Sequence, residues 1–180
     1  MKNRITRVTT KKGDDGTTSS AQGSRISKSD NLIEALGNLD ELNSWIGLLV
    51  TLNKLSREKD LLQKIQNSLF DIGGNLSSDY IDSSKTFGVK DIEDKTKKIN
   101  KDLPYLKNFV LPGGCKESAM IHICRTVCRR AERSLVRAEV NQNVGKNCLI
   151  YLNRLSDFLF VLARKVQKDL GTEETLWSQD

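Results

Sequence analysis

From Asn31 to about Asn53, the apolar residues Leu32, Leu36, Leu39, Leu42, Ile46, Leu49 and Val50 recur at steps of three and four. That spacing lays them along one stripe of a helix. Asn31 followed by Glu34 reads as a loose capping box at its start. A second helix is predicted over Glu58 to Ser78, with Leu61, Leu62, Ile65, Leu69, Phe70 and Ile72 as its apolar positions. Gly73-Gly74 weakens that helix locally, or lets a neighbouring helix approach closely. Residues 79–88 read as a polar loop, and Val89, Ile92, Ile99 and Leu103 mark a short, largely exposed third helix.

Pro112 and Gly113-Gly114 in "NFVLPGGCKES" then break the pattern, because proline disfavours helical geometry at Leu111 and the glycines supply a turn. A helix is predicted from near Cys115 to about Val140, with Met120, Ile123, Val127, Ala131, Leu135 and Ala138 inward. The last helix, roughly 144–169, carries Leu149, Leu152, Leu155, Phe158, Leu159, Leu162 and Val166. With only two prolines and no repeat or linker, the chain reads as one all-α domain over 1–180. The architecture predicted is a five-helix bundle, four long helices plus one short.

Charge changes the picture at the N-terminus. The net charge is +6, and seven basic residues (Lys2, Arg4, Arg7, Lys11, Lys12, Arg25, Lys28) precede the first helix against three acids. Residues 1–29 therefore form a cationic arm suited to a polyanion. Within it, "TTKKGDDGTTSS" combines glycines, which let backbone approach an anion, with hydroxyl, amide and ammonium donors. Its spacing is not that of a Walker A loop. A disordered tail is the plain alternative.

The second cationic feature is "RTVCRRAERSLVR", where Arg125, Arg129 and Arg133 are four apart and advance about 40° each around a helix. Glu132 lies beside them, and Arg130 and Arg137 enlarge the field. A solvated basic face is the ordinary explanation of such a row. Stacked guanidinium groups nevertheless repel unless an anion joins them, and their fork geometry suits phosphate oxygens. Asp40, Asn153 and Asp157 are polar residues on otherwise apolar helices, where a structural hydrogen bond across the bundle or neutralisation of one arginine are both open.

Cys115, Cys124, Cys128 and Cys148 occur without an apolar leader core or a run of 18 apolar residues, which predicts a reduced, cytoplasmic protein. Cys124, Cys128 and His122 form only a weak zinc pattern, so buried free thiols and a structural histidine are expected.

Seven collinear blocks, "TKKGDDGTT", "RISKSD", "EALGNLDELNSWIG", "LFDIGGNLSS", "FVLPGG", "RTVCRRAERSLV" and "YLNRLSDFLFVLAR", resemble the ATP:cob(I)alamin adenosyltransferases of the PduO type over nearly the whole chain. The stretch from Asp79 to Asn108 carries few such blocks. The resemblance implies a homotrimer with active sites between subunits, and transfer of the 5′-deoxyadenosyl group of ATP to the cobalt of cob(I)alamin with release of triphosphate. Cobalt is itself the nucleophile, which fits a sequence with no evident nucleophilic side chain.

By that resemblance, Thr10, Lys11, Lys12, Gly13, Thr17, Thr18 and Ser19 wrap the ATP phosphates, and Lys28 adds a charge. Arg129, Arg130, Glu132, Arg133 and Asn153 fall in the ATP site, with Glu132 a direct or water-mediated contact to magnesium. Asp40 pairs with Arg129, and Phe109 packs beneath the corrin ring to exclude the lower axial ligand. The partners implied are a flavoprotein or other corrinoid reductase and an adenosylcobalamin-dependent enzyme that receives product, with no nucleic acid and no membrane. A basic helical nucleic-acid-binding module and a non-catalytic nucleotide or corrinoid-binding bundle are the alternatives. The tail "GTEETLWSQD" has no assigned role; Trp177 either packs back on the bundle or is disordered.

Overall fold

The computed structural model describes residues 9, 11–20, 23–77, 84–142 and 145–179. Five α-helices carry the fold: α1 (Asn31–Val50), α2 (Lys59–Leu76), α3 (Val89–Asn100), α4 (Lys116–Gln142) and α5 (Lys146–Asp169). A short 3-10 turn, Asn53–Glu58, joins α1 to α2. The all-α expectation holds, with α3 as the short fifth member. One element escapes it: Thr17–Ser19 (β1) pairs antiparallel with Arg25–Ser27 (β2), Thr18 opposite Ile26. The β-branched Thr17, Thr18 and Ile26 suit that pleated ribbon.

The core lies where α4 packs on both α1 and α5, with α2 against α1 and α3 against α5. Leu42, Ile46, Ile72, Leu135, Leu152, Phe158 and Leu162 are fully enclosed there. Ile123, placed inward by its spacing, lies outward instead at 40% exposure, and so does Phe70 of the second helix's apolar set, at 69%. Leu69 occupies the inward position beside Phe70, and a helix turns about 100° per residue, so one side chain of the pair must face away.

The start of α1 also differs in detail. Asp30, not Asn31, caps it, its carboxylate accepting the Leu32 amide at 2.8 Å. Glu34 instead accepts from the Asn38 amide one turn on, at 3.1 Å. The glycine pair in α2 stays helical. A Cβ at Gly73 would sit 3.7 Å from Leu36, an ordinary contact, so packing on α1 does not demand glycine there.

Gly114 is different. With φ at +83° it is left-handed, and a Cβ would fall 1.6 Å from Nε2 of Gln167. Glycine there seats the loop before α4 directly on α5. Among the described residues, no helix is long and apolar enough to cross a membrane.

Candidate active site

The arm is folded on itself by a carboxylate and an arginine. Asp15 Oδ1 accepts from the Thr17 amide at 3.0 Å and from its hydroxyl at 2.7 Å, an Asx turn made possible by left-handed Gly16. Those two hydrogen bonds lead in holding the Asp15 carboxyl below its ordinary pKa, with Arg25 adding attraction. From β2, Arg25 reaches Asp15 at 3.0 Å, the Thr17 hydroxyl and the Lys12 carbonyl. Lys28 Nζ donates to the Gly13 carbonyl at 2.7 Å. A Cβ at Gly13 would stand 3.2 Å from that ammonium and from the Thr17 carbonyl, so glycine admits the cation to the loop.

The structure thus gathers Lys12, Thr17 and Ser19 around Arg25 and joins Gly13 to Lys28 in the same turn, and Thr18 sits beside them in β1. Lys11 precedes them with a left-handed backbone, φ 57°. Thr10 lies outside the described residues. Sequence alone does not single out Arg25 and Asp15, the hub of the loop. The β alternation that sets Arg25 across from Ser19 is the signal that points to the arginine.

On α4 the buried face is Cys124, Val127, Cys128, Ala131, Ser134, Leu135 and Ala138. Arg129 and Arg133 project from the opposite side and are exposed, and Arg125 is half-buried. The row therefore faces out of the single chain, not into the bundle. Burial first, and the Arg129 charge second, push the Arg125 guanidinium below its ordinary pKa, the electrostatic cost of stacking cations one turn apart. Half-exposed Val136, two turns beyond Arg129, interrupts the same face.

Each flank of the row is tied down. Arg130 donates Nε to Asn38 Oδ1 at 2.8 Å and pairs with Glu41, fastening α4 to α1. Glu132 accepts from Asn153 of α5 at 3.0 Å, and Arg154 holds the other side of that amide at 2.8 Å while pairing with Asp157 at 3.0 Å. Glu132 and Asn153 are thus brought together, steadied by Arg154, the residue after Asn153, to which the sequence alone assigns no role. Asp157 neutralises its own helix neighbour, not the row.

Asp40 and Arg129 form no ion pair within the single chain. The acid of α1 that engages α4 is Glu41; Asp40, about 100° around the helix, opens onto the α1–α2 groove with Leu36, Phe70 and Gly73.

Phe109 stands on the loop between α3 and α4, 77% exposed. It borders a cleft of about 550 Å³ with Leu106, Lys107, Asn108, Val110, Arg125 and Phe160. Arg125 thus belongs both to the aromatic cleft and to the arginine row, which leads from the cleft along α4 for about 12 Å to Arg133. The tail packs back: Trp177 lies 6.3 Å from Phe109, ring to ring, and donates its amide to the Phe109 carbonyl at 2.8 Å.

Behind the cleft, Arg125 Nε donates to Nδ1 of buried His122 at 3.3 Å. Burial, then the Arg125 charge, lowers His122 to about 4. It is a neutral structural histidine with its Nε2 unpartnered. All four cysteines are free; burial pushes Cys124 up to about 12 and raises Cys128 and Cys148 as well. Among the described residues, no group of three metal-ligating side chains is assembled. Magnesium held mainly by phosphate oxygens and water needs no such cage, and a single half-buried carboxylate, that of Glu132, fits it.

Comparison with known proteins bears on both halves of this surface. The family model described as cobalamin adenosyltransferase matches residues 8–166. A cobalamin adenosyltransferase of Cupriavidus metallidurans is 44% identical over 181 residues, spanning 100% of this chain and 98% of its own. A human corrinoid adenosyltransferase is 38% identical over 98% of this chain and 75% of its own. Among solved structures, a variant PduO-type ATP:corrinoid adenosyltransferase from Lactobacillus reuteri complexed with cobalamin and ATP superposes with a TM-score of 0.88. It shares 31% identity, over 96% of this chain and 100% of that one.

Proposed function

This chain belongs to the cobalamin adenosyltransferase family, and from that premise we propose how its own residues divide the work. It is an ATP:corrinoid adenosyltransferase of the PduO type, transferring the 5′-deoxyadenosyl group of ATP to the cobalt of cob(I)alamin. Cobalt(I) supplies both electrons of the new Co–C5′ bond, and the C5′–O bond breaks with its pair leaving on triphosphate. The protein has two tasks, to hold C5′ in line with cobalt and to stabilise the charge that develops on the leaving group.

The observation that supports this reading is that Arg125 of α4 lines the Phe109 cleft and begins the arginine row, so a corrin beside Phe109 and a triphosphate along Arg129 and Arg133 would be neighbours. Arg129 and Arg133 grip the triphosphate, and Arg130 adds charge while Asn38 and Glu41 hold it. Asn153 orients the nucleotide. Glu132 is the residue that would hold magnesium, which would neutralise phosphate charge.

Lys11, Lys12, Gly13, Thr17, Thr18, Ser19 and Lys28, with Thr10 before them, close over the phosphates. Among the described residues, no hydrogen bond or ion pair joins the arm to α4 of its own chain. The resemblance to the PduO-type family implies a homotrimer, and in this reading the arm of one subunit covers the row of the next and Asp40 meets Arg129 across the interface. Exposed Phe70, Ile123 and Val136 supply apolar surface for such contacts.

Phe109 keeps water and the dimethylbenzimidazole base from the lower face of cobalt. A four-coordinate Co(II) is easier to reduce because loss of the axial donor lowers the accepting orbital. A flavoprotein or other corrinoid reductase would deliver the electron, and an adenosylcobalamin-dependent enzyme would take the product, in the cytoplasm.

The test is anaerobic incubation with ATP, magnesium and chemically reduced cobalamin, read by the visible spectrum. A light-sensitive cobalt–carbon bond is the expected product. Tight binding of both substrates without conversion would make this a sensor instead.

A further inference from the structure

Arg164 is a charged side chain of α5 with 4% of its surface exposed, and none of the roles proposed above uses its charge. It interrupts an apolar run, "FLFVLARKV". Its fork grips Glu174 of the tail, Nε to Oε1 at 2.6 Å and Nη2 to Oε2 at 3.1 Å, and Nη2 also reaches the Pro104 carbonyl at 2.7 Å. Its guanidinium carbon lies 5.9 Å from the centre of the Phe160 ring, a wall of the Phe109 cleft. One buried group therefore touches the tail, the start of the loop before α4, and the cleft.

Beyond Glu174 the tail runs along that loop. Leu111 donates its amide to the Thr175 carbonyl at 2.8 Å, Leu176 bridges Val110, and Trp177 donates to the Phe109 carbonyl at 2.8 Å. Asn108 completes the ladder by donating to the Trp177 carbonyl. The Phe109 amide is satisfied by Asn108 itself, at 2.8 Å. Among the described residues, the backbone of Phe109 is thus held by its neighbour and by the tail, and by no helix. Left-handed Gly171, φ 66°, and the Thr172 amide on the Gln167 carbonyl at 3.0 Å turn the chain back from α5 to make this possible.

We propose that Arg164 and Glu174 are positioning residues for the corrinoid half of the reaction. Their enclosed ion pair seats residues 173–177, which clasp 108–111 and fix Phe109 at the cobalt side of the cleft. Burial makes the pair all-or-none: a bidentate guanidinium–carboxylate contact out of water holds one geometry, and removal of either partner leaves an uncompensated charge that draws water in. The proposal rests on the reading of Phe109 as the residue beneath the corrin. It predicts damage confined to the corrinoid, since among the described residues no hydrogen bond or ion pair joins the tail to Arg129, Arg133 or the arm.

The test uses the full chain with Trp45→Phe, which leaves Trp177 as the sole tryptophan. In that background Trp177 starts 41% exposed, and Glu174→Ala is expected to raise its acrylamide quenching by up to about twofold. Turnover on corrinoid should fall about tenfold in kcat/KM, with the KM for ATP within about twofold of the parent. Should the single variant fold poorly, the paired Arg164→Met, Glu174→Met variant, which leaves no lone charge, is expected to show the same split. Unchanged quenching overturns the clasp. Parallel losses for ATP and corrinoid overturn the positioning role in favour of plain stability. Phe109→Ala with undiminished corrinoid turnover would instead sink the reading of Phe109; quenching alone then judges the clasp.

Discussion

The arginine row and the N-terminal arm are both cationic and both suited to phosphate, yet they are built in opposite ways. The row stands on a 27-residue helix whose other face is core, and Asn38, Glu41 and Asn153 fix its flanks from two neighbouring helices. The arm is a hairpin of two three-residue strands and a turn, exposed along most of its length, whose bonds close on itself through Asp15, Arg25 and Lys28. A site that needs stable charge and also entry for a nucleotide can use this division. The row supplies a preorganised field, while the arm can move because little of the bundle depends on it.

The sharpest way to break the contrast is at the row. Arg133→Ala is expected to cost about 2 to 4 kcal/mol of transition-state stabilisation in kcat/KM for ATP, read by steady-state kinetics. Unchanged kinetics would remove Arg133 from the site.

Next comes the base on which the row stands. His122 is neutral in the fold with its pKa lowered to about 4 from 6.5, burial being the chief cause. Above pH 6.5 neither state protonates it; between 6.5 and 4 only the unfolded chain does, so stability falls as pH falls through that window. The loss is about 3 kcal/mol at most. Thermal melts of the wild type should therefore drop more steeply over pH 6.5 to 4 than those of His122→Asn, and parallel curves would contradict it.

The division itself is tested by mixing. If arm and row of different subunits make each site, co-refolding an Arg133→Ala chain with a Thr17→Ala, Thr18→Ala chain should restore about a quarter of the sites. No recovery would place both halves in one subunit. The smallest effect is expected at the hub of the arm. Arg25→Ala should leave the melting temperature nearly unmoved, because exposed ion pairs contribute little, and raise the KM for ATP by a factor of a few. A large loss of stability would show the arm to be part of the scaffold.

The same contrast separates what is legible in the sequence from what is not. Four-residue spacing determines a helical row, so Arg125, Arg129 and Arg133 and the bundle around them can be read directly. The outward direction of the row cannot, because periodicity tells which residues share a face and leaves open which face a neighbour covers. Asp40 and Glu41 are adjacent in sequence, and only the packing of α1 on α4 selects Glu41 for Arg130. Leu69 and Phe70 pose the same ambiguity. The arm is legible as a composition of donors, while Arg25 as its hub depends on a hairpin register that alternation over three residues hardly announces. The tail is opaque for another reason: its partners, Arg164 and the loop at 108–111, are distant in sequence, and "GTEETLWSQD" has no periodicity of its own.

The four free cysteines carry a last consequence. Cobalt(I) is itself a strong electron donor, and a scaffold held by sulfur–sulfur links would be open to reduction by it. With Cys124, Cys128 and Cys148 sealed in as protonated thiols and no cross-link to cleave, this bundle can sit beside such a donor, turnover after turnover, without its own architecture entering the redox traffic.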